Sequence, residues 1–136
     1  MSGPTRPARP IYRNINITQI VGYRLPLAGI ISILHRISGA LLFALLPFVL
    51  YLFDQSLTSE LSFGVFKSVT SGWFAKLVIL ALAWAYLQHF CAGIRHLFMD
   101  LHIGLEKESG KRSAAAAIAV SLIFWVGIAL KLFGAF

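Results

Sequence analysis

Three histidines and an arginine stand where an apolar sequence has least use for them. Ser32, His35, Arg36 and Gly39 follow one another at i, i+3, i+4 and i+7, which puts them on one face of an α-helix. His89, Gly93, His96 and Asp100, at i, i+4, i+7 and i+11, form a second stripe of the same kind. Imidazoles at such positions either hydrogen-bond between helices or ligate a metal or haem, and the spacing leaves both readings of His89 open. Gly93, one turn on, leaves room for a flat, bulky group to approach the backbone. Seven residues separate His89 from His96, roughly 10 Å along a helix axis. Two axial nitrogens of one iron lie only about 4 Å apart, because each metal–nitrogen bond is near 2 Å. His89 and His96 therefore cannot share one haem iron. If His89 is axial, the opposite ligand comes from His35 or from another polypeptide. His96, His35 and Arg36 then suit the propionates, whose buried charge needs donors and positive charge. Arg36 lies roughly ten residues into the apolar stretch beginning at Leu27, deeper than simple snorkelling favours. His102 reads as an interfacial residue near a helix end.

The elements that must carry these stripes follow from composition. The chain has 136 residues, 58% hydrophobic and only 12% charged, with twelve Lys/Arg, five Asp/Glu and a net charge of +7. Its mean hydropathy is +0.79. A soluble domain carries about a quarter of its residues as charges, and a small globule cannot hide this much apolar surface. An ordinary cytosolic enzyme, a disordered tail and, with Cys91 the lone cysteine, a disulfide scaffold are excluded. A basic chain this apolar reads as a membrane protein, with no nucleic-acid partner.

The expected fold class is all-α, with three transmembrane helices near 27–53, 74–100 and 114–135, each reaching the roughly 20 residues a span needs. Residues 1–26 form an N-terminal segment and 27–136 the three-helix domain. Arg6, Arg9, Arg13 and Arg24 precede the first helix with no acid among them, and Lys107, Lys111 and Arg112 follow the second. The excess of basic residues places the N-terminus and the second loop in the cytoplasm, with the first loop and the C-terminus opposite. Tyr51, Phe53, Trp73 and Phe74 fit an aromatic belt on the outer side. Pro10 to Gln19 reads as an extended or partly helical lead-in, with no removable signal peptide. Pro26 suits a helix start, Pro47 predicts a kink, and Ser109-Gly110 reads as a turn ahead of the third helix. The run from Ala114 to Ala117 reads as a helix-packing surface. Arg95, about 100° round the helix from His96, is expected to aim away from the stripe, to headgroups or a partner subunit.

Both stripes fall within longer motifs. Ser32-Ile33-Leu34-His35-Arg36-Ile37-Ser38-Gly39 resembles the S-x-x-H-R-x-S/T-G signature of the family of succinate dehydrogenase cytochrome b subunits. His89-Phe90-Cys91-Ala92-Gly93-Ile94-Arg95-His96-Leu97-Phe98-Met99-Asp100 resembles that family's second signature, H-x-x-x-G-x-R-H-L-x-x-D. Arg9-Pro10 is similar to its R-P lead-in, although Ile11-Tyr12-Arg13-Asn14 departs from the usual continuation. The short lead-in, without a long Ser- and Arg-rich presequence, favours a bacterial inner membrane over a mitochondrial one. The resemblance implies a membrane-anchor subunit of succinate:quinone oxidoreductase (complex II), packed with a sister three-helix anchor. It implies a flavoprotein and an iron–sulfur subunit as further partners, one haem b shared with the sister anchor, and ubiquinone as substrate. Carried over by position, His89 matches the axial haem ligand, the other axial His coming from the sister anchor. Ser32 and Arg36 match positions lining the ubiquinone site, and His35, Arg36 and His96 match positions near the propionates. The chain is then part of an enzyme but holds no succinate-oxidising site. A fumarate reductase anchor is the alternative within that class, and a haem-free scaffold or a small transporter subunit are the alternatives outside it.

Overall fold

The computed structural model describes residues 24–135 together with Thr18 and Gly22. The rest of the lead-in, from Pro10 to Gln19, lies outside the described residues, as does its cytoplasmic placement. Four helices follow: α1 (Leu27–Thr58), α2 (Glu60–Ser71), α3 (Trp73–Asp100) and α4 (Lys107–Leu132). No strand occurs among the described residues. α1, α3 and α4 are long and apolar enough to cross a membrane. At 1.5 Å per residue each runs roughly 40–50 Å, beyond a hydrocarbon core of about 30 Å.

Local chemistry explains where each helix begins and ends. Pro26 is the N-cap of α1, and its carbonyl accepts from the amides of Gly29 and Ile30 at 2.8 and 3.1 Å. Pro47 sits inside α1, which continues past the expected end at Phe53 to Thr58. The first loop is not a loop for most of its length. Ser59, extended at φ −162°, ends α1 and starts α2 through a reciprocal capping box with Ser62. α4 likewise starts at Lys107, seven residues before the expected start, so Ser109-Gly110 lies in its first turn rather than ahead of it. The reversal falls instead at Leu101–Glu106. There the amide of Ile103 bonds Phe98 O and that of His102 bonds Met99 O, with His102 at φ 61°. This is a Schellman stop with histidine in the left-handed position usually given to glycine. The same pattern ends α4, with Gly134 in that position at φ 77°.

Small residues let the spans meet. Ile31 of α1, Ala92 of α3 and Ala114 of α4 are each fully buried and form the core, flanked by Leu27, Ala28, Ala117 and Ile118. Close approach of this kind is how helices associate without a hydrophobic driving force between them. Polar clasps then pin α4 onto α3. Ser121 donates to Gln88 Oε1 at 3.0 Å, and Trp125 Nε1 donates to Leu80 O at 2.9 Å. Most of the remaining apolar surface faces outward, including Phe43, Tyr51, Phe53, Trp73 and Phe74. That is the surface of a multi-pass membrane protein.

Candidate functional site

α1 and α3 cross so that the two histidine stripes meet. The rings of His35 and His89 stack with centroids 4.2 Å apart and planes within 8°. His96 lies on the other side of His35, 5.0 Å away and tilted by 51°. His35 thus spans the interval of roughly 10 Å that seven helical residues put between His89 and His96. All three rings are half-buried.

Backbone and small residues fix His89. Its Nδ1 lies 3.0 Å from the carbonyl oxygen of His35. A carbonyl only accepts, so Nδ1 carries the proton and donates, which leaves the lone pair on Nε2. The Ser38 hydroxyl donates to the same carbonyl at 3.0 Å, and its oxygen stands 3.4 Å from His89 Nδ1 as a second acceptor. Ser38 is buried. Gly39 completes the seat, because a Cβ there would lie 2.8 Å from His89 Cε1 and 3.1 Å from Nδ1. Gly93 faces His35 less tightly, since a Cβ there would lie 3.5 Å from His35 Nε2, an ordinary contact.

The donor set fits a single axial ligand. A metal-bound histidine ordinarily donates its other ring N–H to a carbonyl or carboxylate, which fixes tautomer and orientation, and His89 is held in that way. His35 does not complete the pair. Lone pairs lie in the ring plane, and two rings stacked face to face at 4.2 Å point theirs sideways, with no space for an iron between opposed nitrogens. Among the described residues no group of three or more His, Cys, Asp or Glu is arranged to hold a metal ion by itself. The described residues therefore offer no second nitrogen opposite His89 Nε2.

Ser32 and Arg36 stand one turn apart on the same helix as His35, Ser32 half-buried and Arg36 exposed. Among the described residues neither makes a hydrogen bond or ion pair, so a hydroxyl and a guanidinium are both available to a ligand at that end of the bundle. Asp100, the last residue of α3, is exposed and does not join the histidines. Arg95 departs from expectation. It is buried, and it turns to α4, donating from Nε to Ser113 Oγ at 3.1 Å and from Nη2 to Gly110 O at 3.4 Å. The neighbouring face of α3 is covered by α4, which the histidine periodicity could not reveal.

Sequence reasoning gave Ser38 and Gly39 no role of their own and passed over Gln88. Ser38 and Gly39 lie three and four residues beyond His35, the positions that reach a facing helix, and Gln88 is a lone amide inside an uncharged run. Both signals were present, but their partners on the other helix were not.

Comparison with known proteins places this geometry in context. The sequence pattern of a family described as succinate dehydrogenase/fumarate reductase transmembrane subunit matches residues 5–128. The chain is 34% identical over 126 residues to the succinate dehydrogenase cytochrome b556 subunit of Paracoccus denitrificans, covering 93% of each. It is 37% identical over 117 residues to the protein of the same name from Coxiella burnetii, covering 85% of this chain and 89% of that one. A Rickettsia bellii protein of that name is 25% identical over 104 residues, 76% of this chain and 81% of its own length.

Proposed function

The chain belongs to the succinate dehydrogenase/fumarate reductase transmembrane-subunit family, and on that footing we propose that it anchors a succinate:quinone oxidoreductase, binds haem b and helps form the site where ubiquinone is reduced. The observation that carries the reading is the seat of His89. Its Nδ1–H is held by the His35 carbonyl against Gly39, so that Nε2 is presented as one axial ligand. The other ligand comes from a sister three-helix anchor, because His35 is stacked on His89 and cannot oppose it. His35 and His96, with Arg36, supply donors and positive charge for the haem propionates. Held by His89 and a histidine of that sister anchor, haem b would supply electron storage and relay rather than oxygen chemistry.

Ser32 and Arg36 are the quinone-facing pair. The Ser32 hydroxyl donates to a quinone carbonyl and holds it in place. The Arg36 guanidinium stabilises the negative charge that grows on the quinone oxygen as electrons arrive, an effect strengthened where water and its dielectric are excluded. The electrons come from succinate through a flavoprotein and an iron–sulfur subunit on the cytoplasmic side, since one cysteine cannot hold a cluster. The relatives' names favour the succinate-oxidising direction over fumarate reduction. Relatives from Paracoccus and Coxiella support a bacterial inner membrane, with the N-terminus and the α3–α4 turn in the cytoplasm.

Affinity purification of the tagged chain in a mild detergent, followed by a visible spectrum, tests the reading as a whole. It predicts co-purification of a flavoprotein, an iron–sulfur protein and a second small membrane protein, with the absorption bands of a low-spin haem. A chain that arrives alone and colourless contradicts it.

A further inference from the structure

A groove of about 380 Å³ runs between α3 and α4 at the end of the bundle that carries their connecting turn. It lies on the side of α3 away from the site already described. Phe98, in its wall, stands nine residues after His89, roughly half a turn round the helix at 100° per residue. The groove opens among the exposed apolar side chains of Ile94, Phe98 and Val120, on two helices long and apolar enough to cross a membrane, the kind of surface that a bilayer solvates.

The walls divide by chemistry. Towards the middle of the spans they are apolar, formed by Ile94, Ala117 and Val120. Towards the turn they carry Arg95, Ser109 and Ser113. Arg95 is only 6% exposed, yet it has no carboxylate partner. Arg112–Glu108 is the one ion pair among the described residues, and the other acids at that end, Asp100 and Glu106, are exposed and unpaired. A guanidinium has five N–H donors. Here one goes to Ser113 and one to Gly110, which leaves three. The Ser109 hydroxyl makes no hydrogen bond among the described residues. A buried cation without a counter-charge in a lipid-facing groove is costly unless an anion reaches it.

We propose that this groove binds an anionic phospholipid, its headgroup phosphate on Arg95 and Ser109 and one acyl chain laid along Ile94, Ala117 and Val120. Arginine suits the role because its planar fork matches phosphate oxygens. The bound lipid supplies the charge that no described residue gives Arg95 and wedges the opening between α3 and α4. The site works independently of the haem and quinone assignments, so either can fail without the other.

Native mass spectrometry of the intact complex, released from vesicles of equal phosphatidylglycerol and phosphatidylcholine with matched chains, tests it. The wild type should retain one phosphatidylglycerol per copy with a preference of about fivefold, because phosphatidylcholine carries the same phosphate but cancels its charge with choline, and net anionic charge is what a single arginine distinguishes. Arg95→Gln should bring that preference close to unity, and Arg112→Gln, at an exposed cation, should leave it intact. Arg95 also ties α3 to α4, so two further variants leave its contacts in place. Ser109→Ala should weaken retention and Val120→Trp, which fills the groove, should abolish it, both without change in the haem spectrum. Equal retention of phosphatidylcholine overturns the proposal. So does unchanged retention in Val120→Trp, or a groove variant that alters the mass of the assembly instead of its lipid, which would mean that a second copy covers this face.

Discussion

Adding one methyl group at Gly39 puts the seat of His89 under direct stress. The new Cβ would stand 2.8 Å from His89 Cε1 and 3.1 Å from Nδ1. Carbon atoms rest about 3.5–4.0 Å apart, so the ring must retreat by roughly 1 Å. In the haem-free chain it can pivot, at the cost of its hydrogen bond to the His35 carbonyl, about 1 kcal/mol. With Nε2 bonded to iron the ring is held at both nitrogens, and metal–ligand distances tolerate only about 0.2 Å. The strain then falls on haem affinity. Overpacking of this kind costs about 1–3 kcal/mol, or roughly five- to 150-fold in occupancy. The assay is haem per mole of purified complex, from the reduced-minus-oxidised spectrum. Gly93→Ala is the matched control, since a Cβ there meets His35 Nε2 at an ordinary 3.5 Å and should leave haem content near wild type. A Gly39→Ala complex with full haem content and an unshifted spectrum refutes the reasoning.

Removing the Arg36 charge as Arg36→Leu should cut quinone reduction about 10- to 150-fold, the worth of a charged hydrogen bond, while succinate oxidation by a soluble artificial acceptor persists. Ser32→Ala should lower the same activity several-fold, and a parallel fall in both assays would make these residues structural instead. Ser121→Ala strips Gln88 of its one partner, when its Nε2 is already buried without one, and should lower the thermal stability of the complex by about 1 kcal/mol. The double variant Gln88→Leu with Ser121→Ala should recover most of that loss, because no buried polar atom is then left unpaired.

Much of this molecule was legible before any coordinates, because lipid imposes strict rules on sequence. Uncharged runs had to be helices, and His35, Arg36, His89 and His96 shared faces by periodicity alone. The stack of His35 on His89 was not legible. Which ring meets which depends on how far α1 is offset along α3, and that is fixed by Ile31, Ala92 and Ala114 packing at the core rather than by the polar residues of either motif. α2 was hidden for a related reason. Leu61, Val65, Phe66 and Val69 do share one face, but a twelve-residue segment that also holds Gly64, Lys67 and several serines is too short to span and reads as the loop between two spans. The capping box of Ser59 and Ser62 is the start signal that marks it as a helix. Arg95 was assigned to headgroups or a partner because one helix can be read for only one face at a time. The contacts with Gly110 and Ser113 belong to a chain segment that had been read as a turn.

The central claim is that His89 offers Nε2 to the haem iron and that the opposing histidine lies outside this chain. Near-infrared magnetic circular dichroism of the oxidised complex, which reports axial ligands, tests it in wild type and in His89→Met. The wild type should show two histidines. The variant, if it retains haem, should show one histidine and one methionine, with a raised midpoint potential, as methionine ligation brings. Two histidines on the iron of the His89→Met complex would contradict the account.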